Sequence, residues 1–389
     1  MRTRRIRNAN SIKKHNEYGL KKRRNGQGCD YTLLSVIILL LLFGLVMIFS
    51  SSYYYTLTRA KFGNDMYYFL KRQAVWAVLG LGAMIFFMNF SYKHLRKLAL
   101  LGYIGSNFLL FLVLIVGQSM NGSKRWLGVG SLGFQPSEIA KYAVILYLSH
   151  YIASHKGVLK DIKGFFKCCV ILVIPVALIG IANMSTAIVV AFIGAVILFI
   201  ASPRIWYFVA GGIGGSVLCA VALALPQFAY RMDRIHYWLD PFSDPGGKGF
   251  QIVQSLYAVA SGGIFGLGLG QSRQKTYVPE PYNDIIFAII CEELGMVGAA
   301  IVILLFIVLV WRGIKIAINS DDLYGCLVAS GITSLIFIQV IINIAVATNT
   351  MPNTGMALPF ISYGGTALIF TMAGMGILLN ISKFQRNRR

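Results

Sequence analysis

The sequence predicts an all-α polytopic membrane protein, with ten transmembrane helices and one large extracellular loop between helices 7 and 8. Three observations carry this expectation. Apolar residues make up 57% of the 389-residue chain and charged residues only 13%, the balance of a membrane protein. The apolar residues are gathered into long runs instead of being spaced at helical or strand periods. A run such as Tyr31–Ser50 carries no charge and is long enough as a helix to cross roughly 30 Å of hydrocarbon, where little else satisfies its backbone.

Taken in order, the runs place spans at 31–53, 73–90, 98–117, 136–153, 165–182, 185–201, 204–225, 284–311, 323–349 and 358–381. The fifth and sixth are divided only by the polar notch Asn183–Thr186, and the eighth carries Glu292 and Glu293. Orientation follows from Lys and Arg, which stay on the cytoplasmic side in short loops. The head (Arg2, Arg4, Arg5, Arg7, Lys13, Lys14, Lys21 to Arg24) and alternate returns (Lys93, Arg96, Lys97; Lys156, Lys160, Lys163, Lys167; Arg204; Arg312, Lys315; Lys383 to Arg389) share one side. The expected organisation is a basic cytoplasmic tail over 1–30, a ten-helix domain over 31–382 whose loop 226–283 is outside, and a basic cytoplasmic tail over 383–389.

The net charge of +22 is thus mainly a topology signal and needs no nucleic acid. The head suits contact with anionic membrane lipids, and a regulatory docking role stays open. It lacks a short apolar region with a small-residue cleavage site, so no removable signal peptide is expected. The six cysteines sit at the cytoplasmic edge (Cys29, Cys168, Cys169) or within apolar spans (Cys219, Cys291, Cys326), so neither disulfides nor structural zinc are expected.

Polar chemistry gathers on the predicted outer side. The long loop is rich in aromatic residues and glycine, which argues for folded structure, and Gly249–Gly263 reads as an amphipathic helix on the membrane surface. Its acids (Asp233, Asp240, Asp244, Glu280) stand beside Arg231, Arg234, Lys248, Arg273 and Lys275, while shorter outer loops add Arg59, Lys61, Asp65, Lys71, Arg72, Lys124 and Arg125. Basic residues there run against the orientation rule. Some are solvated or paired, and an anionic ligand would account for the set.

Asp284 stands where the eighth span enters the bilayer. It reads either as a first-turn carboxylate favoured by the helix dipole or as a general base at the lipid–water boundary. Glu292 and Glu293, deeper in that span, require a partner or a polar cavity. Glu138 and Lys141 share a helix face and are expected to pair there or to line a cavity. The stretch Thr350–Gly365 interrupts the last two spans with two prolines and several glycines. Its Thr354, Ser362 and Tyr363, with Asn343, either bind a ligand or satisfy freed backbone groups. Asp321 and Asp322 open the ninth span as caps. No Walker motif, nucleotide fingerprint, HExxH or nucleophile elbow is present, which argues against an ATPase, a metalloprotease or a hydrolase.

Three long, ordered runs carry a family resemblance: NGSKRWLGVGSLGFQPSEIAK from Asn121, the run from Asp240 through GLGLGQSRQKTYVPEPYNDIIFAIICEELGMVG, and PNTGMALPFISYGGT from Pro352. The chain resembles the FtsW/RodA/SpoVE (SEDS) family of bacterial cell-wall glycosyltransferases over nearly its whole length, and its GLGLGQSRQK run is more like the FtsW and SpoVE branch. The resemblance implies polymerisation of lipid II into glycan strands, with Asp284 matching the catalytic aspartate and Arg125 a basic residue needed for function. It makes Lys124, Arg125, Lys248, Gln251, Ser255, Lys275, Glu280, Ser362 and Tyr363 candidates for holding substrate, and Gln135, Glu138, Lys141, Glu292 and Glu293 for bracing or lining the cavity.

No metal ligand is assigned, and a divalent cation (Mg or Mn) is left open as an aid. The implied partners are a class B penicillin-binding transpeptidase and other division proteins. Two departures stand out: the family's QPDLGT is here Ala182–Thr186, and its His-Thr before the aspartate is Tyr282-Asn283. A lipid II transporter and a non-catalytic scaffold are the competing readings.

Overall fold

The computed structural model describes residues 28–385, apart from 121–122, 130–131, 156, 209–210 and 212–234. Ten helices are used below: α1 Tyr31–Leu57, α2 Tyr68–Asn89, α3 Tyr92–Val116, α4 Pro136–Ser154, α5 Ile162–Ala182, α6 Met184–Ala201, α7 Phe250–Ser261, α8 Ile286–Ile318, α9 Leu323–Ala347 and α10 Gly365–Ser382. Among the described residues, all of these except α4 and α7 are long and apolar enough to cross a membrane. Helix α4 has 19 residues but carries Glu138 and Lys141 near its start. The basic head, most of the expected seventh span, and Arg231, Asp233 and Arg234 lie outside the described residues.

Helix ends follow local chemistry. Asp30 accepts from Leu33 N at 3.0 Å to cap α1, Asn183 accepts from Thr186 N at 3.2 Å to divide α5 from α6, and Asp322 accepts from Gly325 N at 3.1 Å to start α9. Each occupies one of the orphan donors of a helix start. Helices α9 and α10 form the buried centre, with α9 packed on α4, α6 and α8, and α10 on α2. Small residues permit the last contact: a Cβ on Gly376 would stand 2.4 Å from the Met84 carbonyl oxygen, as in close-packed membrane helices.

Two features depart from the expected fold. In an otherwise all-α chain, the connection before α4 carries an antiparallel sheet in the order β1 (Gln118–Met120), β2 (Ser123–Val129), β3 (Leu132–Phe134). The sequence carries Asn121-Gly122 and Gly130-Ser131 between these strands, turn-forming pairs that a search for spans passes over. Secondly, the eighth span runs beyond its expected 284–311 and is broken at Gly295, whose φ of 68° and ψ of −167° are accessible essentially to glycine alone.

The break is closed by the loop. Met296 N donates to Gly263 O at 3.0 Å and Val297 N to Ile264 O at 3.1 Å, while Leu267 N and Gly268 N donate to the carbonyls of Glu292 and Glu293, each at 3.0 Å. Four main-chain groups that the kink frees from the helix ladder are thereby paired with residues 263–268. The approach is close, since a Cβ on Gly295 would stand 2.3 Å from Gly266 N. Gly295→Ala therefore combines backbone strain with a clash against main chain and is expected to cost about 2 kcal/mol or more. A fall in melting temperature in nanodiscs checks this, with Gly82→Ala, where a Cβ meets nothing within 4 Å, expected to melt as wild type.

Candidate active site

At the loop-bearing end of the bundle, residues 280–284 form a turn before α8. Its backbone is held from three sides. Asn343, fully buried on α9, donates from Nδ2 to Asp284 O at 2.8 Å and to Met356 O at 2.7 Å. Ser362 donates from Oγ to Asn283 O at 2.7 Å and accepts from Leu358 N at 2.7 Å. Tyr363 N donates to Tyr282 O at 2.9 Å.

Aromatic rings back this bracket. Phe69 on α2 lies 4.0 Å from Tyr282 and 4.9 Å from Tyr363 between centroids, and Tyr55 packs edge-on to Tyr282 at 5.7 Å. Such pairs add to the stability given by burial alone. Arg72 stacks over Tyr68 with its charge acting on Tyr363, and Arg59 stacks over Tyr55 at 3.9 Å.

Within this bracket the Asp284 side chain is half-buried, with Oδ2 close to Gly355, where a Cβ would stand 3.7 Å away. Burial pushes its carboxyl up from 3.8 to about 6, with the charge of Glu280 adding to the rise and the backbone N–H groups of Asp284 and Ile285 opposing it. Glu280 itself is exposed, has a positive φ of 53° and accepts from Asn283 Nδ2 at 3.3 Å. A carboxylate so poised accepts a proton near neutral pH more readily than a solvated one.

Behind the turn, the two glutamates of α8 clamp the loop. Glu292 accepts from Arg273 N at 2.9 Å and from the hydroxyl of Ser272. Glu293 accepts from Ser50 Oγ on α1 and pairs with Lys275 at 3.0 Å. Lys275 Nζ donates further to Ser50 O at 3.1 Å and Gly270 O at 2.6 Å. Lys275 is 2% exposed, which corrects its expected role: its charge is spent within the protein, out of reach of a substrate.

Two other expected substrate contacts, Ser255 and Ser362, also spend their hydroxyls within the protein. Ser255 is buried and gives its hydroxyl to Ala347 O at 2.8 Å, and the Ser362 hydroxyl is consumed in the bracket just described. Gln251 accepts from Asn353 Nδ2 at 3.0 Å. Lys248 remains exposed, with Nζ 5.6 Å from the Tyr237 ring centroid.

A second cluster is built on other helices. Strand β2 packs on α3, α4 and α5, and its Arg125 donates from Nε to Ala182 O at 2.9 Å, at the notch where the family's acid is replaced. A cleft there is lined by Arg125, Gln135, Ser137 and Asn183. Lys124 is exposed and donates to Ile115 O at 3.0 Å. Glu138 pairs with Lys141 at 2.7 Å on α4. Among the described residues, no group of three His, Cys, Asp or Glu is gathered as metal ligands.

Sequence reasoning missed Ser50, Ser272 and Gln73, which is buried on α2 and accepts from Gly364 N at 3.4 Å. The available signals were a serine ending an apolar span and a glutamine inside one, while Ser272 in the long loop gave none.

A polytopic bundle in which the turn at its loop-bearing end presents a carboxylate raised by burial, beside basic and aromatic side chains, defines a membrane protein with a polar site at one end of its helices. Residues 31–387 match the profile of the FtsW/RodA/SpoVE family, described as a cell cycle protein, and the chain belongs to that family. It is 44% identical to stage V sporulation protein E of Bacillus subtilis (strain 168) over 92% of this chain and 98% of that one. It is 37% identical to the probable peptidoglycan glycosyltransferase FtsW of Geobacter sp. (strain M18) over 93% and 99%. Among solved structures it is similar to a chain of a peptidoglycan synthase complex described as coordinating polymerization and crosslinking (TM-score 0.77, 28% identity, 92% and 99% covered). It also resembles the rod shape determining protein RodA of Thermus thermophilus (TM-score 0.68, 25% identity, 92% and 97%).

The clamp makes a direct prediction. Lys275→Met takes away the cation paired with the buried Glu293 and is expected to cost about 3–5 kcal/mol. Adding Glu293→Gln to Lys275→Met is expected to recover part of that loss in a melting-temperature cycle.

Proposed function

We propose that this protein is a peptidoglycan glycosyltransferase that polymerises lipid II into glycan strands at the outer face of the bacterial cytoplasmic membrane, in cell division or sporulation. In this reading ten helices span residues 31–382, both termini are cytoplasmic, and the loop 226–283 lies outside with Asp284 at its edge. The observation that carries the proposal is the raised carboxyl of Asp284, backbone-bracketed at the start of α8, in a chain whose relatives include a probable peptidoglycan glycosyltransferase.

The donor sugar is α-linked to pyrophosphate and the polymer linkage is β, so a single displacement accounts for the product. Asp284 takes the proton of the acceptor's 4-hydroxyl as that oxygen bonds to the donor's anomeric carbon. The bond from that carbon to the pyrophosphate breaks, and undecaprenyl pyrophosphate leaves. Cations balance the departing charge, and Arg125, Lys124 and the exposed Lys248 are the candidates that remain once Lys275 is assigned to the clamp. The similarity to a chain of a synthase complex supports a membrane partner, which we take to be a class B penicillin-binding transpeptidase.

A positioned base contributes on the order of 10²–10⁴ in rate. Asp284→Asn is therefore expected to lose at least that factor in polymer formed from purified lipid II, with and without the transpeptidase. Unchanged polymer from a folded variant would remove the mechanism. Transport of lipid II without polymer would identify a carrier, and full wall synthesis by the variant in the presence of the partner would identify a scaffold. Because the base acts as the carboxylate, the wild-type rate is expected to fall about tenfold per pH unit below about 6.

The same shift has a consequence for stability. Burial favours the protonated acid in the folded state, a contribution present below the unfolded value near 3.8 and lost as pH rises through about 6. Asp284→Asn, neutral throughout, is thus expected to melt above wild type at pH 8 and level with it at pH 4.

A further inference from the structure

Helices α1 and α8 are tied together at two levels. At one end Arg312 on α8 holds Asp30 with Nε to Oδ2 at 2.9 Å, and at the other Ser50 on α1 meets Glu293 and Lys275. About 20 residues separate Asp30 from Ser50 along α1, roughly 30 Å at about 1.5 Å per residue. About 19 separate Arg312 from Glu293 along α8, roughly 28 Å on the same rise. Both lengths equal the thickness of a bilayer's hydrocarbon core, roughly 30 Å. Between the two levels the outward surface is apolar, with Leu39, Leu42 and Val46 on α1 and Ile301, Leu304 and Ile307 on α8 all exposed. The two polar layers thus stand one hydrocarbon thickness apart, with apolar surface between them.

The loop crosses the upper layer. Its Gly263 and Ile264 carbonyls accept from Met296 and Val297, which lie on the hydrocarbon side of Glu293. Met296 and Val297 are themselves exposed and continue the lipid-facing stripe of α8. Phe265 is 82% exposed and Ile264 57%, a large apolar area to leave in water. From Ser261 to Gly270 there is no charge. The hydrogen bonds to Glu292, Glu293, Met296 and Val297, with Gly266 N to Gly262 O at 2.8 Å, meet the requirement that irregular backbone in an apolar medium be paired. Arg273 and Tyr277 follow, both exposed, as side chains of the membrane interface are.

We propose that residues 263–269 are a re-entrant tip that inserts Ile264 and Phe265 among the lipid acyl chains of the leaflet on the loop-bearing side. The large loop is thereby anchored to the bilayer as well as to the bundle. The occupant of this surface is lipid because the patch is continuous with the stripe of α8 that faces hydrocarbon. Expected height places the two side chains just beneath the headgroups.

The test uses the full chain in nanodiscs, carrying Phe265→Trp or, in a second variant, Ile264→Trp, each with the wild-type melting temperature. The signal of the added tryptophan is taken by difference from wild type. It is expected to be blue-shifted, to lose most of its intensity in lipids brominated high on the acyl chain, and to resist aqueous iodide. Water-like emission quenched by iodide and not by bromolipid would overturn the proposal, since the tip would then stand in solvent. Insensitivity to both quenchers would also overturn it, since protein would then cover the tip.

Discussion

A backbone that breaks at the edge of hydrocarbon must find its hydrogen bonds elsewhere, and the break at Gly295 is the constraint around which this end of the molecule is arranged. The kink frees main-chain groups of Glu292 to Val297, and a glycine-rich segment supplies the missing partners because only glycine lets two main chains approach so closely. The same two glutamates then turn their carboxylates toward the loop, one onto backbone donors and one onto Lys275. Main chain and side chain of one short stretch thus hold a long insertion against the bundle. A buried charge is costly unless paired, so this arrangement ties the loop's folding to that of the helix.

The turn bearing Asp284 inherits its position from that scaffold. It opens the buried half of α8 and is fixed by backbone contacts from Asn343, Ser362 and Tyr363. These contacts fall on carbonyl and amide groups and leave the carboxylate itself largely to its surroundings. Partial burial, with no cation acting on it among the described residues, is what raises its proton affinity. A carboxylate perturbed in this way is a cost of the kind that clusters at functional sites.

Much of the architecture is legible in the residues. Uncharged runs located the spans of α1 to α6, α9 and α10 to within a few residues for most, and longer misses at ends such as Tyr68 and Gly365 occur where polar or aromatic residues continue or replace a helix near the interface. Asp322 capping α9 and the pairing of Glu138 with Lys141 were readable because helix geometry fixes neighbours three apart. The hairpins at 118–134 escaped because short strands leave little signal beside spans of twenty apolar residues. Lys275 was misread for a different reason: sequence shows that a lysine is in a loop and not which way the loop folds.

What the sequence determined alone is the solvent of each segment. Runs without charge must enter lipid, basic returns set the orientation expected of them, and the prolines and glycines of Thr350–Gly365 announce an irregular backbone that needs partners. What only the tertiary structure decided is which partners those are: Ser50 and Lys275 for Glu293, Ser272 for Glu292, and Asn343 for the turn of Asp284. These contacts join residues far apart in the chain, and their energies depend on burial and distance, neither of which exists until the helices have packed.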